Sequence, residues 1–431
     1  MSRPHHVCAP ERTVLDNGLT LVSEAMPERR SVSLGVWLRS GARDEPGALM
    51  GVTHFLEHML FKGTPTRSAL DIAHSLESRG GHLDAFTTRE YVCYYARCLE
   101  EHAELALEVL ADLVGHSLLA DDEIEREKSV VREEIQSYED NPEEKLHDVL
   151  AEAVWGADPL GWPILGTLES LEALTGPEVR RHYRARYRTG SLVLSVAGSF
   201  DRDRLAGLAA ARVAPAGGDA PVLAPTPEAQ PVGGVFVPRD VTQLYLALGR
   251  PALPQFDDRR YALAVLNALI GGGMSSRLFQ SVRESAGLAY SIYSSVDFLR
   301  DTGMLTIFLG VRPERAGEAL ARVAQELARF AHEGPSAEEL ESGRSQLKGS
   351  MILGQESVSN HMTHLAMDEI YYGRAWPLEA HLERVARVGA DDVMALAREF
   401  LTPDGFTLAA LGPEEFERPV RRAWPPGAAG R

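Results

Sequence analysis

The sequence has little cysteine, no long apolar run and too few basic residues to balance its acids. Only Cys8, Cys93 and Cys98 occur in 431 residues. An odd, sparse set makes no disulfide framework and suits a reducing compartment. Cys93 and Cys98 are five apart with no matching second pair, which argues against a thiolate zinc cage. No stretch approaches the roughly 20 apolar residues of a membrane-spanning helix. The N-terminal "MSRPHHVCAPERTVLDNGL" lacks the apolar centre of a signal peptide. The expected location is therefore cytoplasmic, without a membrane partner. Basic residues number 44 against 62 acidic ones, a formal net charge of −18. This balance argues against nucleic acid as a main partner, because a phosphate backbone needs a basic footprint.

What is present is enough apolar material, 44% of the chain, for two or more domains with sizeable cores. "RTVLDNGLTLVSEAM" predicts two strands joined at Asp16-Asn17-Gly18. "SVSLGVWLRSG", "HLDAFTTREYVCYYARCL" and "SLVLSVAGSF" each predict a strand. Helical patterns run over about 49–62, 69–79, 101–116, 121–139 and 142–154. Val213 to Gly234 is dense in Pro, Gly and Ala and predicts a linker. Strands at "GVFVPRD" and "QLYLALGR" then open a second half that repeats the element order of the first. "ALMGVTHFLEHMLFKGT" answers to "RYALAVLNALIGGGMSS", and "LESRGGHLDAF" to "VRESAGLAYSI". The expectation is an α+β protein of two duplicated domains, each a mostly antiparallel sheet packed against helices. The boundaries expected are residues 1–212, a linker 213–234, and residues 235–431.

"GVTHFLEHMLFKGT" carries the chemistry. On a wheel of about 100° per residue, Val52, Phe55, Leu56, Met59 and Leu60 form an apolar stripe. His54, Glu57 and His58 fall together on the other side. Two histidines one turn apart can converge on one ion, with a carboxylate beside them. H-x-x-E-H is the inverse of the H-E-x-x-H zinc-hydrolase pattern. The second half has "LNAL" near the corresponding place and no such triplet.

A hydrolytic zinc site of this kind takes a third protein ligand, commonly a carboxylate. "DDEIEREKSVVREEIQSYEDNP" is helical and acid-rich. Val130, Val131, Ile135 and Tyr138 define its expected buried stripe, and Glu127 and Glu134 fall within it. A carboxylate on a buried face is costly unless it meets a cation or good donors. Glu134 or Glu127 is therefore the expected ligand, and Glu133 is disfavoured.

With these residues in view, the sequence resembles the pitrilysin and insulinase superfamily of zinc peptidases, nearest to the bacterial relatives of mitochondrial processing peptidase. "HFLEH" followed 76 residues later by the second Glu of "VVREEI" carries the resemblance. It implies one zinc per chain, with His54, His58 and Glu134 as ligands, Glu57 as catalytic base and Glu127 as a supporting carboxylate. "GGHLDAFTTREYVCYYA" resembles the substrate-pairing edge strand, which puts Asp84, Ala85 and Phe86 against substrate; Asp84 stands where Asn is usual. "VRESAGLAYS" resembles a motif whose Arg283 and Tyr290 contact substrate near the zinc. The family's "HPLG" reads "DPLG" at Asp158 to Gly161.

The resemblance further implies half of a clam-shell peptidase, and hence a dimer. A homodimer is expected, with Arg283 and Tyr290 completing the partner's site; a heterodimer with an inactive paralogue is the alternative. The acidic charge suggests cationic peptide substrates. Some relatives have lost the zinc motif and serve as scaffold subunits, so a non-catalytic assembly role is the competing reading. Three other features have plainer explanations. Glu144-x-x-His147 lacks the second pair a di-iron bundle needs. His361 and His364 read as a satisfied or solvated helix pair. Gly271-Gly272-Gly273 reads as a helix stop, without the Lys-Ser/Thr of a phosphate loop.

Overall fold

The Asp16-Asn17-Gly18 turn forms as its residues predict. Gly18 takes a φ of 87°, in the left-handed region that suits glycine, and Asn17 Oδ1 accepts the Leu19 N–H. On either side β1 (Glu11–Val14) and β2 (Thr20–Ala25) pair antiparallel. The structure is a computed structural model and describes residues 9–213, 218, 223–229 and 234–424. Cys8 and most of the expected linker lie outside the described residues.

The first of two compact units gathers Met1–Gln136, Pro163–Ala224 and Leu353–Pro377. Its sheet adds β3 (Ser31–Leu38), β4 (His82–Thr87), β5 (Val92–Leu99) and β6 (Leu192–Gly198), in the order β1-β2-β6-β3-β5-β4. Only β2 and β6 run parallel. The segment expected as one strand over 82–99 is two, because Thr88 turns the chain. Its hydroxyl accepts the Glu90 and Tyr91 N–H groups and donates to the Tyr91 carbonyl.

Strand β6 is buried along its whole length, so both faces of the sheet need cover. One face packs on helices that include α1 (Val52–Leu60), burying Phe55, Leu56, Met59 and Leu60 against Leu34, Val36 and Tyr94. The other face, with Val22, Trp37, Cys93 and Val193, is covered by Val358, Met362, Leu365 and Ala366 of the helix Val358–Tyr372. That helix is pinned through buried Glu369, whose carboxylate accepts from Arg12 and Arg39 at 2.7–3.1 Å.

The second unit gathers Ser137–Trp162, Pro225–Ile352 and Leu378–Arg431. Its strands are β7 (Val235–Pro238), β8 (Leu244–Ala252), β9 (Ala289–Phe298), β10 (Gly303–Val311) and β11 (Thr407–Gly412), ordered β7-β11-β8-β10-β9. This repeats β2-β6-β3-β5-β4 of the first sheet, with the one parallel pair again at the same end. The helix Arg260–Ile270 takes the chain position of α1 and ends at Gly271, as its glycine run predicts. Leu146, Leu150 and Val154 of the helix Pro142–Trp155 cover the face bearing Ala247, Phe308 and Leu411.

Each unit therefore includes one helical segment from the other half of the sequence, 137–162 and 353–377. Local periodicity marks these segments as helical but carries no sign of which apolar sheet face they cover.

Candidate metal centre

Helix α1 starts where Gly51 adopts φ 85° and sits so close to its neighbours that a Cβ would meet Leu165 O at 2.6 Å. Gly51 has no side chain to cap the helix. The buried Glu45 carboxylate does so from outside, accepting the Gly51 and Thr53 N–H groups at 2.7 and 2.6 Å. Burial raises the Glu45 carboxyl to about 7, while those donors and Arg186 pull it down. Nothing in local sequence pattern announced Glu45.

The apolar stripe of α1 is buried as its spacing predicts. His54, Glu57 and His58 share the opposite side, yet His54 is buried and the other two half-buried rather than solvated. The cover over them comes from α2 (Asp121–Asp140), whose buried residues are Ile124, Glu127, Lys128, Val131 and Ile135. Here the wheel needs correcting. Val130 is 50% exposed, and Lys128 is buried with Nζ 3.1 Å from Glu125. The buried stripe is rotated towards the 124–127–131 line, and Glu127 is 3% exposed at its centre.

Two helices thus face each other with ligand-type atoms between them. His54 Nε2 lies 3.6 Å from Glu134 Oε1, and His58 Nε2 lies 3.3 Å from Glu134 Oε2. The three side chains offer donor atoms all within 4.8 Å of one another, the one such group of three or more among the described residues. Glu134 Oε2 and His54 Nδ1 are buried with no hydrogen-bond partner among the described residues. Such atoms are costly unless something meets them. The two imidazoles hold the Glu134 carboxyl well below the usual carboxylate range. Burial opposes a charge on His58, but Glu127 and Glu134 outweigh it and raise that imidazole to about 9. The donor set and its pull on positive charge fit a divalent cation with His54, His58 and Glu134 as ligands, a combination that suits zinc.

Around this triplet stand three further groups. Glu127 Oε1 lies 2.8 Å from His58 Nδ1, and Lys62 Nζ lies 2.6 Å from Glu127 Oε2. Burial works against the Glu127 charge, yet His58 and Lys62 prevail and hold its carboxyl below the ordinary value. Glu57 Oε2 accepts from the Thr87 hydroxyl at the end of β4. Burial raises the Glu57 carboxyl above its ordinary value, against the pull of Thr87, His54 and His58. Sequence reasoning missed both Lys62 and Thr87. Lys62 could have been found as the residue four beyond His58, and Thr87 as the residue that alternation puts on the face of Leu83 and Ala85.

Asp84, Ala85 and Phe86 lie on β4, the edge strand of the first sheet, as the resemblance implied. Arg283 and Tyr290 belong to the second unit and are not among the residues the first unit gathers around His54. The Arg283 guanidinium stands 4.8 Å from the Phe279 ring centroid. Tyr290 is the second residue of the edge strand β9, half exposed, and its hydroxyl accepts from Arg312 Nε at 3.0 Å.

The two helix histidines of the other candidate motifs, His147 and His361, are occupied otherwise. His147 Nε2 is 3.1 Å from the Tyr293 hydroxyl and its ring stacks on Phe308. His361 Nδ1 is 2.9 Å from Glu24 Oε2, as a satisfied helix histidine should be. Among the described residues, no helix is long and apolar enough to cross a membrane.

The chain matches known proteins in sequence and in fold. Residues 20–168 match the family model described as Insulinase (Peptidase family M16), and residues 173–347 match the one described as Peptidase M16 inactive domain. A Bacillus subtilis protein, YmxG, named an uncharacterized zinc protease, is 39% identical over 409 residues, covering 94% of this chain and 98% of that one. A Streptomyces coelicolor protein, likewise named an uncharacterized zinc protease, is 38% identical over 417 residues, covering 95% and 91%. In fold, the crystal structure of a protease from Helicobacter pylori matches with a TM-score of 0.87 at 21% identity, covering 95% of this chain and 100% of that one. The chain belongs to the insulinase family of zinc peptidases, M16.

Proposed function

We propose that the protein is an active zinc-dependent endopeptidase acting on peptides or unfolded segments. The observation that carries this reading is the convergence of His54, His58 and Glu134 beside a half-buried, hydroxyl-held Glu57. One zinc per chain would be held by those three ligands, in the half spanning 1–212. The half spanning 235–431 would be its homologue without a metal site.

A bound zinc ion supplies Lewis acidity where a scissile carbonyl would lie. Glu57 supplies the proton chemistry. Its carboxylate takes a proton from water as the water oxygen adds to the carbonyl carbon. It then passes that proton to the departing amine nitrogen as the C–N bond breaks. A carboxyl raised by burial is suited to both halves of this task. Thr87 orients Glu57, and Glu127 with Lys62 orients His58. Substrate would lie extended along β4, adding a strand at Asp84-Ala85-Phe86.

The chain is about half the size of the family's two-part chamber, so the proposed assembly is a homodimer. In it Arg283 and Tyr290 of each chain serve the other's site; pairing with an inactive paralogue is the alternative. A cytoplasmic location accords with the free, buried Cys93 and Cys98. The competing reading is a non-catalytic scaffold of the same fold, against which stands the retention of every ligand and base position.

The deciding experiment compares wild type with Glu57→Gln on a library of short peptides, with metal analysis of both. Equal zinc with cleavage only by wild type supports the assignment. Cleavage retained in the variant overturns the role of Glu57, and zinc without cleavage in either chain supports the scaffold reading.

A further inference from the structure

The edge strand β4 carries a second recognition element, on the face turned away from α1. Which backbone groups of β4 are open follows from the turn beside it. Thr88 N–H bonds to Tyr91 O, so these two form a hydrogen-bonded pair. Antiparallel pairs alternate between bonded and non-bonded, and the β4–β5 register continues from that turn without a break. Ala85, opposite Tyr94, therefore falls at a non-bonded position, and its N–H and C=O point to the open edge. Leu83 and Thr87 share this disposition.

That open Ala85 N–H is already covered. Asp84 Oδ1 accepts it at 2.9 Å. The rest of the Asp84 side chain lies on the outer face of the strand, 54% exposed. Its Oδ2 is 3.4 Å from the Tyr95 hydroxyl, which donates to it, and 3.4 Å from His82 Nε2. The rings of His82 and Phe86 each stand edge-on to Tyr95, with centroids 6.1 Å away. Among the described residues no Lys or Arg pairs with Asp84; His82 is its one ion-pair neighbour.

A strand added to this edge must place a carbonyl on the Ala85 N–H and so displace Asp84 Oδ1. The released carboxylate then faces the side chains of the added strand that lie on the outer face, directly opposite it. A neutral side chain leaves that carboxylate uncompensated as the added strand covers it. A cationic one pairs with it and lies against the Tyr95 and Phe86 rings.

We infer that Asp84 is a specificity determinant that selects a Lys or Arg side chain at one alternate position of the substrate strand. The inference rests on the reading that substrate adds to β4.

The test uses zinc-loaded chain and peptides that differ at one residue, Lys, Gln or Glu, scanned along the sequence. Wild type should cleave the Lys peptide with a kcat/KM about fivefold above the Gln peptide, and the Glu peptide worst. The preference should appear at one position of the scan and shrink as salt is raised. Asp84→Asn keeps an acceptor for Ala85 but loses the charge, so the preference should vanish. Asp84→Ala uncovers the Ala85 N–H, so KM for the Gln peptide should fall. Unchanged melting temperatures of both variants would show that they fold. Equal cleavage of the Lys and Gln peptides by wild type, or a preference surviving in Asp84→Asn, overturns the inference and leaves the peptidase reading intact. Binding of the same peptides to Glu57→Gln separates the two readings. A Lys preference in binding that depends on Asp84, without cleavage by wild type, upholds the Asp84 site and sinks the peptidase assignment.

Discussion

Glu127 and His58 form a part-buried pair: a carboxylate oxygen lies 2.8 Å from the imidazole Nδ1, on the side of the ring opposite the nitrogen that faces Glu134. The pairing fixes the ring orientation and leaves Nε2 for a cation. Lys62 holds the other Glu127 oxygen. Replacing Glu127 with Gln should lower zinc affinity by about 10- to 100-fold. Lys62→Met should lower it less. Competition with a chromophoric chelator measures both, and unchanged affinity in both variants would reduce the pair to a packing contact.

Thr87 joins the edge strand to Glu57, the proposed base, by donating to its Oε2. Thr87→Val keeps the shape and removes the donor. We expect kcat to fall by about tenfold, with zinc content unchanged and KM little altered, because one oriented hydrogen bond to a charged group is lost. Steady-state kinetics with parallel metal analysis decides it. A loss of zinc instead would show that Thr87 supports the metal centre rather than the base.

Two buried histidines away from the candidate metal centre should shape the stability profile with opposite signs. Burial, aided by Arg186, lowers His182 from 6.5 to about 4. Between those pH values the unfolded chain binds the extra proton. Stability is therefore full above 6.5 and falls as pH drops towards 4, by on the order of 3 kcal/mol. His182→Gln should flatten this acid limb of the melting curve.

His361 behaves in the reverse sense. Burial opposes its charge, but Glu24 and the Gln355 carbonyl prevail over that and over Arg29, raising it above 6.5. Its contribution is full below 6.5 and is lost as pH rises through the folded-state value. Melting temperature should decline on that alkaline side in wild type and less so in His361→Gln. Parallel slopes in the two chains would remove His361 from the account.

The proposed action of Arg283 in trans has a quantitative signature. Glu57→Gln and Arg283→Ala chains should each be impaired alone. Mixed in equal amounts after dissociation, about half the dimers are heterodimers, each with one complete site. Activity should then recover to about a quarter of wild type. No recovery would argue for action within one chain, and an Arg283→Ala homodimer of full activity would remove the residue from the reaction.

The helices and strands were largely legible because their apolar spacing is regular. The α1 stripe, the Asn17-Gly18 turn and the glycine stop after Ile270 follow directly from residue type. The strand expected over 82–99 was not, since only the Thr88 hydroxyl reveals the turn within it. Val130 was misassigned because a single wheel cannot say which neighbour an apolar residue will meet; it meets solvent. The exchanged helices at 137–162 and 353–377 were likewise invisible, since either sheet offers an apolar face to cover.

Alone, the residue pattern settled that His54, Glu57 and His58 share one side of a helix, because 3.6-residue periodicity is local. It narrowed the third ligand to Glu134 or Glu127 and went no further. Tertiary packing divided their roles: Glu134 faces both Nε2 atoms, while Glu127 takes the Nδ1 of His58 and the ammonium of Lys62. It also set Thr87 on Glu57 and Asp84 on the open edge of β4. Apart from the Asp84–Ala85 bond between chain neighbours, these are contacts between segments 30 to 80 residues apart. They depend on how helices and sheet meet, which no short-range periodicity records.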